Sequence, residues 1–274
     1  MPEFEDMDAG TLGRALRMVH EHAGITMTCA KQSMLQSRLR PRLRLLNIGS
    51  YAQYLRRLGQ DEAERQVFID VVTTHHTAFF RTPRIWRYFG EVFLPAFAAR
   101  HADKPLRVWS AATSSGEEAC TIAMCCEEFS RRQPGFSYQV SATDISVDVV
   151  ERARAGDYGG TSVAAFHEAQ PELFMRYNAL GTEKRFRLPQ AVRERIDFSA
   201  HHLFRPPHWT ESFDVIFLRN VLIYFNPDDV RTVLRNIAPA LGANGVLIIG
   251  EAESLTGVDV PFQFMQPQIY RRTA

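Results

Sequence analysis

The segment Leu106–Met124, LRVWSAATSSGEEACTIAM, constrains the fold more than any other part of the chain. Its apolar beginning, Leu106–Ala111, predicts a buried strand, and the small residues of Thr113–Gly116 predict a tight turn. From Glu117 onward, apolar residues recur at helical spacing, namely Ala119, Ile122, Ala123 and Cys126. A strand, a turn of small residues and a helix form the first unit of a nucleotide-binding α/β sheet, in which the helix N-terminus points free N–H groups at a ligand.

The composition of this turn argues against a phosphate ligand. It holds one glycine rather than G-x-G-x-x-G, and no lysine follows it as in a P-loop. Glu117 and Glu118 open the helix, where acids repel phosphate but suit the helix dipole and a positively charged ligand. S-adenosylmethionine carries a sulfonium and an amino group and is such a ligand. Simple capping of the helix by the two glutamates is the alternative, and this segment alone leaves both open.

A second predicted strand, Ser137–Asp144, ends in an acid. In doubly wound sheets an acidic residue at the end of the second strand receives the ribose hydroxyls, usually ~20 residues after the first turn. Asp144 follows that turn at a somewhat greater distance. It is also placed to cap a helix over Val147–Arg154, and the two roles are compatible.

The composition is that of an ordinary globular protein. The chain has 274 residues, of which 45% are hydrophobic and 23% charged, with a formal net charge of +1. No apolar run approaches the ~20 residues of a membrane span, and the acidic start MPEFEDMD lacks the basic-then-apolar form of a signal peptide. The cysteines form no C-x-x-C pair and do not cluster with histidine, so we expect reduced thiols, no metal and a cytoplasmic protein.

The first part of the chain, residues 1–72, is predicted to be an all-α domain. Its predicted helices are Asp8–His22, Lys31–Leu46, Tyr51–Leu58 and Glu62–Val72. Between positions 30 and 60 it carries seven basic residues and no acid: Lys31, Arg38, Arg40, Arg42, Arg44, Arg56 and Arg57. This basic face fits an acidic protein helix, an anionic membrane surface or nucleic acid, or is merely solvated. Nucleic acid fits least well because few aromatic residues lie nearby for stacking.

Residues 73–86 are predicted to link the two parts over a cofactor cleft, and residues 87–274 to form the α/β domain. The adjacent His75 and His76 do not predict a metal site, since neighbouring residues in a helix or strand face different ways. Thr161–Ile196 interrupts the α/β alternation and predicts a small insertion with a helical piece around Pro171–Tyr177 and short strands at Lys184–Leu188 and Arg193–Asp197. Later strands are predicted at Arg195–Ser199, Phe213–Leu218, Val246–Gly250 and Phe262–Arg271, with a helix over Asp229–Leu241 and a turn at Gly242–Gly245.

Five segments carry a resemblance that covers nearly the whole chain. They are FDVIFLRNVLIYF at Phe213–Phe225, TAFFR at Thr77–Arg81, VWSAATSSGEE at Val108–Glu118, ATDIS at Ala142–Ser146 and RLRPRLRLL at Arg38–Leu46. Together they resemble the CheR family, the chemotaxis-receptor glutamate methyltransferases. The first of them is the most specific match.

The resemblance implies a class I S-adenosylmethionine-dependent methyltransferase fold of the α/β class, with a Rossmann-like, mostly parallel seven-stranded sheet. It adds a small all-α N-terminal domain and an antiparallel β-subdomain inserted at about 160–195. It also implies that the cofactor is held by Thr77, Arg81, Glu118, Asp144, Leu203 and Asn220. Glu118 would take the methionine amino group, and Asp144 the ribose hydroxyls. His75 and His202 stand where the family usually has asparagine, and we expect both in the cofactor cleft.

The resemblance further implies methyl transfer from S-adenosylmethionine to glutamate side chains of a methyl-accepting chemoreceptor. The products would be glutamyl methyl esters and S-adenosylhomocysteine. Arg81 and Tyr224 would lie beside the transferring methyl, with Arg81 as a bidentate clamp for the acceptor carboxylate. That carboxylate is already ionised near pH 7, so no general base is needed. The helix with Arg38, Arg40, Arg42 and Arg44 would face acidic helices of the receptor's cytoplasmic domain.

This chain also departs from the family pattern. Besides His75 and His202, it has Ala119-Cys120 where a proline and an aromatic residue are usual, and Gly250–Glu253 reads GEAE where GHSE is usual. These departures motivate an alternative, a non-catalytic or cofactor-sensing docking module of a signalling complex. A small-molecule or nucleic-acid methyltransferase is a third possibility. The short loop Ala179–Glu183 has one glycine, so we predict no pentapeptide tether; we also expect a monomer without direct membrane insertion.

Overall fold

The N-terminal part of the chain is helical. The computed structural model describes residues 5–101 and 103–273, so half of the MPEFEDMD start lies outside the described residues. The helices are α1 (Ala9–Ala23), α2 (Gln32–Leu45), α3 (Tyr51–Leu58) and α4 (Glu62–Val72), and the 3₁₀ turn Cys29–Lys31 precedes α2. All four lie within one or two residues of the predicted helices.

Side-chain caps explain where these helices begin. Asp8 accepts a hydrogen bond from the Thr11 N–H at 2.7 Å at the start of α1, and Asp61 accepts one from the Glu64 N–H at 3.0 Å at the start of α4. Helix α1 ends at Gly24, whose φ of 71° is the left-handed conformation that suits glycine at a helix C-terminus. The apolar faces pack into one core, which includes Leu12, Val19, Leu35, Leu39, Tyr54 and Phe68.

A helical segment leads into the sheet. It consists of α5 (Pro83–Arg87), the π-helical turn Tyr88–Phe93 and α6 (Leu94–Arg100). Its aromatic face packs on the sheet, where the ring of Trp86 stacks on Phe217 with 5.5 Å between centroids. The elements β1 (Leu106–Ser110), α7 (Glu117–Ser130), β2 (Tyr138–Asp144) and α8 (Val147–Ala155) follow as predicted.

The central sheet has seven strands. The later ones are β5 (Ile196–Ala200), β6 (Phe213–Leu218), β7 (Leu241–Ile249), β8 (Phe262–Gln266) and β9 (Ile269–Arg272), with α12 (Pro227–Ile237) between β6 and β7. The strand order is β5-β2-β1-β6-β7-β9-β8. All neighbours pair in parallel except β7–β9 and β8–β9. This confirms the predicted seven-stranded, mostly parallel sheet. The order reverses beside β1, and ligands of such sheets bind in the crevice at that point.

The inserted segment contains more helix than its sequence predicted. Its strands β3 (Tyr158–Gly159) and β4 (Arg185–Phe186) form a separate antiparallel pair. Helices α9 (Thr161–Ala169), α10 (Pro171–Tyr177) and α11 (Gln190–Arg193) lie around that pair. Aromatic packing explains the helices, because the Phe166 ring lies within 5.3 Å of the centroids of both Phe174 and Phe186. The predicted strand at Arg193–Asp197 is replaced by the end of α11 and the start of β5.

Two other differences lie near the C-terminus. Residues 242–245 are a bulge within β7, where the pairing with β6 shifts from Phe213–Leu241 to Val215–Val246. The tail is a hairpin of β8 and β9 rather than one strand, with Gln268 at a φ of 66° in the turn. Helix α12 ends at Ile237 and is followed by the 3₁₀ turn Ala238–Ala240, which contains Pro239.

None of the helices within residues 5–101 and 103–273 is both long enough and apolar enough to span a membrane.

Candidate functional site

A cavity opens at the carboxyl ends of β1, β2 and β6. Its volume is about 930 Å³ when its open mouth is included. Ala23 and Ile25 line one side, so the N-terminal helical part forms a wall of the cleft, and the linker between α4 and α5 forms another. The structure brings all nine predicted cofactor and catalytic residues to this cavity: His75, Thr77, Arg81, Glu118, Asp144, His202, Leu203, Asn220 and Tyr224.

Asp144 is a buried carboxylate at the end of β2, with only 8% of its surface exposed. Its two oxygens accept hydrogen bonds from the backbone N–H groups of Ser114 at 2.9 Å and Ser146 at 3.1 Å. Burial nevertheless raises the pKa of Asp144 above its ordinary value. The helix cap is supplied by Ser146, whose hydroxyl accepts from the Val149 N–H at 3.3 Å. The Asp144 carboxylate therefore keeps acceptor capacity for ligand hydroxyls.

The contact with Thr73 indicates which ring nitrogen of His75 carries the proton. The single hydroxyl proton of Thr73 goes to the carbonyl oxygen of Ile69 at 2.7 Å. The same oxygen lies 2.7 Å from His75 Nε2, so Nε2 must be the donor of that contact. In that tautomer Nδ1 is an acceptor, and the His75 side chain lines the cavity. Burial lowers the pKa of His75, although the nearby Asp144 carboxylate opposes this shift.

Glu118 is held by an arginine that the sequence analysis did not select. One carboxylate oxygen accepts from the Ser110 hydroxyl at 2.8 Å, and the other pairs with Arg219 Nη1 at 2.9 Å. Arg219 is 5% exposed, and its second Nη donates to the carbonyl oxygen of Arg81 at 2.9 Å. Its guanidinium also lies 5.4 Å from the Trp86 ring centroid. In the sequence, Arg219 could have been selected from its position directly after a predicted strand, opposite the two glutamates that open a helix.

Asn220 reaches the cavity on a tightly packed loop after β6. Its backbone N–H donates to the buried carboxylate of Glu253 at 3.0 Å, and the Gly250 N–H donates to the same oxygen. A Cβ on Gly250 would lie 2.7 Å from both the backbone nitrogen and the side-chain amide nitrogen of Asn220, so only glycine fits there. Gly250 and Glu253, the first and last residues of the GEAE segment, therefore hold Asn220 in place.

The backbone around the cavity is strained. Phe80, Thr82, Ser114 and Asn220 have φ values between 52° and 64°, in the left-handed region that non-glycine residues rarely adopt. Phe80 and Thr82 flank Arg81, whereas Ser114 and Asn220 follow β1 and β6. Such conformations persist where the surrounding packing enforces them, and they concentrate at functional sites.

Arg81 and Tyr224 line the cavity together. The backbone carbonyl of Arg81 is fixed by Arg219 and by Trp86 Nε1, at 2.9 Å each. Its guanidinium donates to the carbonyl oxygen of His76 at 3.1 Å, which leaves further N–H donors for a ligand. Tyr224 is half-buried, and its carbonyl accepts from the Thr26 N–H at 2.8 Å, which joins the site to the segment after α1.

His202 differs from the other cleft residues because both of its ring nitrogens already have partners. Nε2 lies 3.1 Å from the carbonyl oxygen of His22 and therefore donates to it. Nδ1 accepts from the Phe204 N–H at 3.2 Å. Burial lowers the pKa of His202 and favours this neutral form. His202 therefore joins α1 to the α/β domain, and its ring can offer a ligand chiefly a packing surface.

The basic helix is less exposed than its sequence predicted. The guanidinium of Arg42 is bound in a bidentate pair to Glu64, at 2.9 and 2.6 Å, and Glu64 is 2% exposed. Arg38 donates three hydrogen bonds to the start of the linker. Arg40 contacts the Tyr51 hydroxyl at 3.1 Å and Asp6 at 3.2 Å. Arg38 and Arg42 thus turn into the protein rather than toward a partner, while Arg44 is exposed.

The residues of the cavity fit S-adenosylmethionine. A buried carboxylate at the end of β2 suits the ribose hydroxyls, and the Glu118 carboxylate suits an ammonium group, since each of its oxygens has a second lone pair beyond the bonds it accepts here. The small residues Ala111, Ala112 and Ser114 line the cavity at the end of β1. Within the described ranges 5–101 and 103–273, no group of three or more His, Cys, Asp or Glu side chains is arranged to hold a metal ion.

Comparisons with known proteins agree with this site. Residues 75–271 match the family model "CheR methyltransferase, SAM binding domain", and residues 11–73 match "CheR methyltransferase, all-alpha domain". A "Chemotaxis protein methyltransferase" of Vibrio parahaemolyticus is 33% identical over 254 residues, covering 91% of each chain. One of Salmonella typhimurium is 33% identical over 263 residues, covering 94% of this chain and 88% of the relative. The chain therefore belongs to the CheR family of S-adenosylmethionine-binding methyltransferases.

Proposed function

We propose that this protein transfers a methyl group from S-adenosylmethionine to glutamate side chains in the cytoplasmic domain of a chemoreceptor. One observation carries the proposal: Arg81 and Tyr224 line the same cavity as Glu118 and Asp144. A group that can bind a carboxylate thus shares one site with groups that can bind the cofactor. The names of the Vibrio and Salmonella relatives, chemotaxis protein methyltransferases, support the same substrate class.

The cofactor supplies a methyl group activated by its own sulfonium. Asp144 accepts hydrogen bonds from the ribose hydroxyls, and Nδ1 of neutral His75 is a second acceptor on the same side of the cavity. Glu118 accepts the ammonium group while Arg219 and Ser110 hold its orientation. Asn220, fixed through Glu253, Thr77, Leu203 and His202 complete the walls. These residues would hold the cofactor in one orientation, so that its methyl group would be aligned for transfer.

The acceptor glutamate needs positioning rather than activation. Its carboxylate is ionised near pH 7 and is itself the nucleophile, so the site needs no general base. Arg81 clamps one or both carboxylate oxygens through its guanidinium N–H groups, and the Tyr224 hydroxyl orients the acceptor by a hydrogen bond. The half-buried linker and Ile25 exclude water around the transfer path. The chain thus contributes alignment and desolvation.

The all-α domain recognises the receptor in this proposal. Arg44 lies on the exposed side of α2, and Leu45 beside it is 70% exposed. Arg56 is also exposed, at the end of α3. A basic surface that includes an apolar residue suits an acidic amphipathic helix. Charge reversal at Arg44 should therefore weaken receptor binding and reduce the loss of that binding as ionic strength rises, while cofactor binding stays unchanged.

The proposal is tested with purified protein, a receptor cytoplasmic fragment and methyl-labelled cofactor. We expect label on the fragment that is released as methanol by mild base. Arg81→Ala should abolish transfer while cofactor binding weakens less. If cofactor binds but no base-labile methyl forms, the non-catalytic docking module replaces the enzyme. Arg81, Asp144, Asn220 and Tyr224, all in place around one cavity, favour the enzyme.

A further inference from the structure

Arg38 reaches from helix α2 to the first residues of the linker that crosses the cofactor cleft. Its Nη1 donates to the carbonyl oxygens of Val72 at 2.6 Å and Thr73 at 2.9 Å. Its Nη2 donates to the Thr74 hydroxyl at 2.9 Å. Val72 is the last residue of α4, and its carbonyl has no partner within that helix. Arg38 therefore caps the end of α4 from a neighbouring helix.

The capped residues are directly connected to the cofactor cleft. The Thr73 hydroxyl accepts from His75 Nε2 at 2.7 Å, which sets the tautomer of His75. The carbonyl oxygen of His75 accepts from the Ser114 hydroxyl at 3.1 Å, and the Ser114 N–H donates to Asp144 at 2.9 Å. A continuous series of hydrogen bonds thus runs from Arg38 to the carboxylate at the end of β2.

We propose that Arg38 is a positioning residue of the cofactor cleft, which fixes where the linker begins and so where His75, Thr77 and Arg81 lie. Arg38 acts through the linker, since it does not line the cavity itself. The inference relies on the cleft binding S-adenosylmethionine and is independent of which substrate receives the methyl. It gives the basic helix a second role beside partner recognition.

Three arginines on the same helix have three different environments, and this separates the possible roles. Arg38 is half-buried and bonded to the linker, Arg42 is paired with the buried Glu64 inside the helical domain, and Arg44 is exposed. A residue that served only the receptor would resemble Arg44. A residue that served only the stability of the helical domain would resemble Arg42. Arg42 and Arg44 are therefore matched controls for Arg38.

The test measures cofactor binding without any receptor present. Calorimetric titration with S-adenosylhomocysteine would compare the unaltered protein with Arg38→Ala, Arg42→Ala and Arg44→Ala, each at a temperature at which the variant is folded. We expect Arg38→Ala to weaken binding by about tenfold, as the loss of a charge-assisted hydrogen bond typically does. Arg44→Ala should leave the affinity unchanged, and Arg42→Ala should lower the melting temperature with a smaller effect on affinity.

Two milder variants keep the test decisive if Arg38→Ala does not fold. Arg38→Lys keeps the charge but loses the forked geometry, so it should restore part of the affinity. Thr74→Val removes the acceptor of Arg38 Nη2 alone and should weaken binding by a few-fold. In receptor methylation, Arg38→Lys should raise the KM for the cofactor and leave the KM for the receptor fragment unchanged.

The outcomes separate this inference from the proposed function. Unchanged affinity for S-adenosylhomocysteine in Arg38→Lys and Thr74→Val would overturn the inference, as would an increase confined to the receptor KM. Failure of the unaltered protein to bind the cofactor would overturn it as well. Cofactor binding that depends on Arg38, with no methyl transfer to any receptor fragment, would support the inference and contradict the proposed function.

Discussion

In the buried pair of Glu118 and Arg219, a single residue, Arg219, fixes the charge and orientation of the Glu118 carboxylate in the cleft. Both side chains are less than a tenth exposed, so each charge requires the other. The carboxylate that would bind the cofactor's ammonium group is therefore present at a fixed orientation before the cofactor arrives. Such pre-organisation lowers the cost of ordering the site when the ligand binds.

Replacing Arg219 by methionine should destabilise the protein strongly. The variant leaves the Glu118 carboxylate buried without its partner, which typically costs ~3–5 kcal/mol in the free energy of unfolding. Thermal and urea unfolding would measure the loss. The double variant Arg219→Met with Glu118→Gln should recover part of it, because the stranded charge is gone. A melting temperature equal to that of the unaltered protein would contradict the assigned pairing.

Cofactor affinity should fall at acidic pH. Burial holds the pKa of His75 below its ordinary 6.5 and raises that of Asp144 above its ordinary 3.8. As pH falls from 7, protonation of His75 removes its acceptor nitrogen and protonation of Asp144 removes its charge. We expect constant affinity from pH 7 to 8 and weakening below 6.5. His75→Asn should shift the onset of weakening to lower pH, and an unchanged titration curve for that variant would exclude His75 from the site.

At the level of residues, the sequence located the groups at the ends of strands and missed the groups that hold them. Asp144 and Glu118 are predictable because the carboxyl ends of adjacent parallel strands meet at one edge, whereas Asn220 followed from the family resemblance. Arg219 and Glu253 act through contacts between segments distant in the chain. For Arg219 the sequence offered only its position directly after a strand, and for Glu253 it offered no local pattern. Arg38 and Arg42 share a helix face by i,i+4 spacing. That spacing does not tell whether the face meets solvent or, as here, Glu64 and the linker.

The element α2 is held to α4 by a buried polar cluster. Glu64 accepts from Arg42 twice and from the Tyr54 hydroxyl at 2.8 Å. The pKa of Glu64 lies below its ordinary value, because these hydrogen bonds outweigh the effect of burial. A depressed carboxyl pKa contributes stability above the ordinary value that is lost as pH falls through the lower one. The helical domain should therefore lose this contribution only under strongly acidic conditions.

Arg42→Ala should destabilise the helical domain through this cluster. It leaves Glu64 buried without its cation, and we expect a loss of ~3–5 kcal/mol in the free energy of unfolding. Arg44→Ala, two positions along the same helix, should change it by less than ~0.5 kcal/mol. Chemical denaturation monitored by circular dichroism would compare the two. Equal small effects would contradict the buried role of Arg42.

Among the elements, the parallel strands, the N-terminal helices and the antiparallel strand pair of the insertion were predictable. The other helices of the insertion and the hairpin at the tail were not. Strands buried on both faces have continuous apolar sequences, such as FDVIFL at Phe213–Leu218. The insertion is organised instead by aromatic contacts among Phe79, Phe166 and Phe186. These contacts join residues far apart in the chain, and the hydrophobic pattern around each of them has no clear helical or strand periodicity. Strand β8 is exposed and short, so its pattern is weak.

On the scale of the whole molecule, the cleft is built by both parts of the chain. The end of α1 and the residues after it contact the α/β domain: His202 bonds to the carbonyl of His22, the Thr26 N–H donates to the carbonyl of Tyr224, and Gly24 packs on the Phe204 ring. The helical part thus supplies a wall of the cavity besides its basic face. In the proposed function, receptor recognition and cofactor binding therefore share one structural frame.

Gly24→Ala should weaken this junction. A Cβ at Gly24 would lie 2.1 Å from the Phe204 ring, and the φ of 71° disfavours any side chain. Left-handed strain and overpacking together typically cost ~2–4 kcal/mol in the free energy of unfolding. Gly49→Ala is the matched control, because nothing lies within 4 Å of its Cβ position. Equal melting temperatures for the two variants would contradict the close contact of α1 with the α/β domain.

The central claim is that one cleft joins cofactor binding to glutamate methylation. It is tested most directly by incubating the purified protein with S-adenosylmethionine and a receptor cytoplasmic fragment, and then mapping the fragment by mass spectrometry after proteolysis. We expect methyl esters on glutamate side chains. These esters should be removed by mild base and should be absent with Arg81→Ala. An unmodified fragment despite bound cofactor, or methyl groups on other side chains that resist base, would contradict it.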